Sequence, residues 1–164
     1  MIRFVSMFFL LALASPAHSQ DKYTVKFDDD LGSVQVQACF DGKAPSSLQI
    51  NSDSRNYILY ARHGHRDIKS SLSRNRHYLP RLPEDACIEY SVDLAAAAAA
   101  DNFRLALREE KQLVTNTSLW FWVAPQPRPI DVDVTLPAGM SISTPWVPTG
   151  NNGNSFQFRA GLTP

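Results

Sequence analysis

Alternation of apolar and polar residues is the dominant pattern along this chain, and a period of two marks strands rather than helices. Tyr23–Phe27 alternates and predicts a first strand, with a solvated turn after it at Asp28–Gly32. In Ser33–Phe40 the pattern is cleanest: Val34, Val36, Ala38 and Phe40 point one way, and Gln35, Gln37 and Cys39 the other. Ser47–Ile50 fits a short strand. Tyr57–Ala61 is apolar on both faces, which predicts a central strand covered on each side. Cys87–Leu94 alternates again, placing Ile88, Tyr90, Val92 and Leu94 on one face.

Further along, the periods mix. Ala95–Ala100 is a run of the residue with the best intrinsic helix propensity, so a short helix is expected there. Residues 102–109 fit both periods; a helical stripe of Phe103, Leu107 and Val114 favours extending that helix to about Glu110. Leu119–Ala124 is a continuous hydrophobic run and predicts a core strand, with Trp120 and Trp122 on one face and Phe121 and Val123 on the other. Pro125, Pro127 and Pro129 keep the next segment extended and outside a sheet. Ile130, Val132, Val134 and Leu136 then alternate with Asp131, Asp133 and Thr135 as in a half-exposed antiparallel strand. A turn at Pro137–Gly139, an aromatic anchor at Trp146, a polar turn at Asn151–Asn154 and a last strand at Ser155–Arg159 complete the series. Many short strands at regular spacing predict a mainly β fold, an antiparallel β-sandwich with one short helix around the polyalanine run.

One stretch departs from alternation altogether. Residues 62–86 are polar and irregular and read as an insert, with a turn or two of helix at Ile68 and Leu72. It is rich in cations (Arg62, Arg66, Lys69, Arg74, Arg76, Arg81), whereas the chain as a whole balances 16 basic against 16 acidic residues. That balance gives no general pull toward nucleic acid or an anionic membrane.

The N-terminus has a different logic. A basic start at Arg3, an apolar run at Phe4–Ala14 and small residues at Ala17 and Ser19 form a secretory signal peptide spanning residues 1–19. The apolar run is about eleven residues, too short for a membrane span, which needs about twenty. Residues 20–164 then form a single domain, secreted or periplasmic, with no integral membrane segment after cleavage. Cys39 and Cys87 are the two cysteines. In an oxidising compartment they have one possible pairing, so a disulfide closing over the insert is expected.

Candidate chemistry is sparse. His63 and His65 would point the same way on an extended segment, with His77 as a third, weak metal candidate. Arg62, Arg66, Arg74 and Arg76 could bind an anion, and Trp120 and Trp122, with Trp146, could stack on a sugar. Asn116-Thr117-Ser118 matches the glycosylation acceptor triplet. An EF-hand beginning at Asp28 fails, because its twelfth position is Cys39. HExxH, GxSxG, P-loop and dinucleotide-binding patterns are absent from the sequence, so no catalytic residue and no cofactor is assigned.

From Tyr90 onward the chain resembles the N-terminal β-domain of glycyl-aminopeptidase-like zinc metallopeptidases. The resemblance is carried by YSVDL at Tyr90–Leu94, TNTSLWFWV at Thr115–Val123 and VDVTLPAGMSISTPW at Val132–Trp146, about a third of the chain. Met140 departs from it, standing where that family usually has tryptophan. The family's zinc-binding helix would lie downstream of Pro164, so no zinc or catalytic residue carries over. The resemblance implies an exported, non-catalytic β-domain that accompanies a downstream or separate peptidase catalytic domain and presents substrate to it. The alternative is a stand-alone envelope module binding a peptide, glycan or anion.

Overall fold

The computed structural model describes residues 20–159, apart from 70, 71, 74, 101–104, 111, 127 and 151–153. The expected signal peptide at 1–19 and most of the expected turn at 151–154 therefore lie outside the described residues. In chain order the strands are β1 (Asp21–Phe27), β2 (Ser33–Cys39), β3 (Ser47–Gln49), β4 (Ile58–His63), β5 (Arg66–Asp67), β6 (Leu72–Ser73) and β7 (Arg76–Tyr78). They continue with β8 (Cys87–Asp93), β9 (Ala106–Glu109), β10 (Gln112–Thr115), β11 (Pro129–Thr135), β12 (Val147–Pro148) and β13 (Ser155–Arg159). Helix α1 (Leu94–Ala99) separates β8 from β9. The fold is mainly β with one short helix at the polyalanine run, as the patterning predicts.

The strands form a large sheet in the order β12-β13-β11-β1-β2-β8-β4-β5, a small sheet β3-β7-β6, and the hairpin β9–β10. The large sheet is mixed. β11 runs antiparallel to β13 as expected, yet parallel to β1, with Tyr23 opposite Val132 and Val25 opposite Val134. A parallel pair needs a long crossover, here the whole chain between β1 and β11.

One face of the large sheet is dry. Tyr23, Val25, Val36, Ala38, Ile88, Tyr90, Ile130 and Val132 are all at most 2% exposed. Cross-strand registers put these side chains side by side: Tyr23 with Ala38, Val36 with Tyr90. On the opposite face of β1 and β2, Lys22, Thr24, Lys26, Gln35 or Gln37 meet solvent or partial exposure, so the period of two holds.

Four expectations are corrected. β4 is not a central strand: it lies next to the edge, and Leu59 is 52% exposed. The insert is not irregular throughout: it carries three short strands, with Lys69 in a 3-10 conformation ahead of residues 70 and 71, which lie outside the described residues, and β7 pairs with β3 to bring part of it into the core. Helix α1 stops at Ala99, and Ala106–Glu109 is the first strand of a hairpin. Asp93 caps the helix start through Ala96 N at 2.7 Å, and Leu94 and Ala97 bury its inner face. A run this short cannot propagate alone, so docking fixes its length.

The fourth correction concerns Leu119–Ala124. Asn116 accepts a hydrogen bond from Ser118 N and starts a short 3-10 turn at Thr117–Leu119. The following residues form no strand; their ladder contact is one bridge between Val123 and Gln49. Leu119, Trp120, Phe121 and Trp122 are all buried, so the run packs on every side instead of on alternate faces. A short apolar run has no periodicity to distinguish these cases.

Candidate functional site

Each candidate side chain has a definite place. Arg62 ends an ion pair with Glu89 at 2.7 Å and lies over the Tyr60 ring at 4.9 Å. Arg66 and Arg76 are exposed on β5 and β7, in two different sheets, and Arg74 lies outside the described residues. The basic residues are thus spread over separate elements.

The histidines do not share one extended segment. His63 ends β4, with Nδ1 2.9 Å from the Cys87 carbonyl oxygen. Gly64, at φ +57°, begins a turn that carries the exposed His65. His77 is fully buried, 2.9 Å from the Ile68 carbonyl through Nε2, and packs edge-on to Trp122 at 5.3 Å. Burial holds its pKa below the ordinary histidine value. No group of three or more metal-binding side chains converges among the described residues.

Of the tryptophans, Trp122 is a core residue. It stacks face to face on Tyr90 with ring centroids 3.7 Å apart, and its carbonyl accepts from Tyr23 Oη at 2.7 Å. Burial pushes both tyrosine hydroxyls well above their usual range, which keeps them neutral hydrogen-bonding groups. Trp122 has no face left for a sugar. Asn116 is exposed, but its side-chain oxygen is engaged by Ser118 N and Oγ.

Trp120 and Trp146 line a cleft of about 660 Å³. One wall is β10 with Thr117; the other is the continuous run Gly139–Trp146. Phe27, Leu31 and Leu136 contribute from the large sheet's end. The second wall arises locally. A turn at Pro137–Gly139, with Gly139 at φ +77° and Met140 N donating to the Pro137 carbonyl at 3.1 Å, sends the chain back along the cleft. Along it Met140, Ile142, Thr144 and Trp146 are half-buried while Ser141, Ser143 and Pro145 are exposed, a strand-like alternation outside any sheet. Trp146 is clamped by Phe121 at 5.0 Å and by Trp120 at 6.1 Å.

No described lining residue of this cleft carries a charge. Its hydroxyls belong to Ser and Thr, and no titratable base stands among the described lining residues. Trp120 is 2% exposed and its Nε1 has no hydrogen-bond partner. Sequence reading singled out Trp120 and Trp146 but missed the wall opposite. The alternation Met140-Ile142-Thr144-Trp146 was its available signal.

Comparison with known proteins bears on the fold alone. No family model matches the chain, and no curated protein matches its sequence. Among solved structures, an aminopeptidase N family protein from Idiomarina loihiensis is similar at a TM-score of 0.58 and 16% identity. The likeness covers 85% of this chain and 27% of that one, so this chain spans about a quarter of its structural neighbour.

Proposed function

We propose that this chain is an exported accessory β-domain of a metallopeptidase-like protein, holding or presenting peptide without cleaving it. The observation that carries the reading is the likeness of 85% of the chain to a part, 27%, of an aminopeptidase N family protein. The family resemblance of Tyr90–Leu94, Thr115–Val123 and Val132–Trp146 points the same way. The Cys39–Cys87 disulfide fits an oxidising compartment, and the signal-peptide pattern at residues 1–19 supplies the route. The uncharged cleft suits a domain that binds rather than reacts.

Two measurements test this. N-terminal sequencing of protein recovered from the exported fraction should begin at Gln20. The reading frame past codon 164, or an adjacent gene, should encode HExxH. A stop codon with no neighbouring peptidase gene, together with retention of the chain in the cytoplasm, would remove the reading.

A further inference from the structure

We infer that the cleft between β10 and Met140–Trp146 takes an extended apolar peptide, which enters as an added strand. This gives the accessory reading a ligand class and rests on that reading only for where the peptide comes from.

The argument begins with the backbone. β10 is paired with β9 alone among the described residues, so the alternate N–H and C=O groups on its outer edge have no ladder partner. All four residues of β10 line the cleft. Across from them, Ser141–Ser143 runs outside any sheet, with no backbone hydrogen bond among the described residues. Two stretches of unsatisfied backbone therefore face one opening. An extended peptide is the ligand that carries donors and acceptors at the same repeat as both walls, and pairing with an exposed edge is a general mode of peptide capture.

The side chains set the rest of the ligand's character. Leu113, Leu136, Met140 and Ile142 give the cleft an apolar lining without charge, so the inward side chains of a bound strand are apolar. Val114 and its cross-strand partner Leu107 are 66% and 47% exposed, which continues the apolar surface over the hairpin at the cleft's rim. The indole N–H of Trp120 is buried and lacks an acceptor; if entry of the strand uncovers it, a ligand carbonyl can satisfy that donor. An anion would instead need a cation, and none stands among the described lining residues.

The test is calorimetric titration of the purified protein with a terminally blocked heptapeptide that alternates valine and threonine between flanking lysines. Saturable binding is expected. Single N-methyl groups walked along the peptide should weaken it at alternate positions and leave the positions between unchanged, by about three- to tenfold per lost bond. Trp120→Phe keeps the ring and removes the donor, and should weaken binding by a similar factor with an unchanged far-UV spectrum. If that variant fails to fold, the N-methyl scan still decides, because it alters only the ligand. No binding at about 1 mM peptide, equal binding of every N-methylated peptide, or dimerisation of the protein through β10 in place of peptide binding would overturn the proposal. Peptide binding by a protein with no peptidase in its reading frame or neighbourhood would leave this proposal standing and remove the accessory reading.

Discussion

Tyr90 and Trp122 lie ring on ring, 3.7 Å between centroids and 4° from parallel, and this contact ties the large sheet to the layer above it. Tyr90 comes from the middle of β8, and Trp122 from the irregular run after the 3-10 turn. Trp122 N also donates to Tyr90 Oη at 3.3 Å, and its ring meets His77 from the small sheet. One side chain thus joins three parts of the fold. Trp122→Ala should cost about 3–5 kcal/mol, the range for truncating a buried aromatic. Urea unfolding measures it, and a loss under about 1 kcal/mol would contradict the core placement.

Two ion pairs should differ in worth. Arg128 Nη2 meets Asp21 Oδ1 at 3.1 Å, with side chains 19% and 1% exposed. Arg62 meets Glu89 at 2.7 Å, but both side chains are over 40% exposed. Burial raises the Asp21 pKa, and the hydrogen bond from Asp41 N and the Arg128 charge oppose that rise without cancelling it. Arg128 additionally donates to the Asp41 and Lys43 carbonyl oxygens, pinning the start of β1 to the turn after β2. Arg128→Ala should therefore cost about 2–4 kcal/mol, and Arg62→Ala less than about 1 kcal/mol. Equal losses in chemical denaturation would show that burial does not separate the two.

Cys39 and Cys87 face each other at the ends of β2 and β8, with Cα atoms 4.0 Å apart and a sequence separation of 48. The bond closes the loop that contains the insert. Constraining a loop of this length in the unfolded chain is worth about 4 kcal/mol in the chain-entropy account. Replacing both cysteines by alanine should lower stability by about that much, and reduction of the native protein should match it. Non-reducing peptide mapping that found two free thiols would undo this prediction.

His77 should make stability depend on pH. Burial lowers its folded pKa below the ordinary value. Below about pH 6.5 the unfolded chain gains a proton that the folded chain resists. Stability from this source is full at neutral pH, falls as pH drops through that range, and levels off beneath the folded pKa. His77→Gln should flatten the slope of unfolding free energy between pH 7 and the acid limb. An unchanged slope would show that His77 is not its source.

Much of the sheet was legible because one buried face imposes a period of two. β2 and β8 have the inward sets read from the sequence, Val34-Val36-Ala38 and Ile88-Tyr90-Val92. The polyalanine helix was legible from propensity, and the cysteine pairing from there being two thiols. Residues 106–109 were not, because a sequence that fits both periods is decided by its partner, here β10. Nor was the fate of Leu119–Trp122, where hydrophobicity on all sides dictates burial but not backbone shape.

The candidate site shows the same division. Sequence alone selected Trp120, Trp122 and Trp146 as conspicuous and left two readings open for them, core packing and a sugar-stacking surface. Only tertiary structure decided which of them is core and which lines an opening. Trp122 is consumed by Tyr90, whereas Trp120 and Trp146 border the cleft because β10 and Met140–Trp146, distant in sequence, end up facing each other. Local patterning acts through neighbours along the chain, so it fixes which residues avoid water. A cleft is a relation between segments brought together by the sheet order, and no local period encodes it.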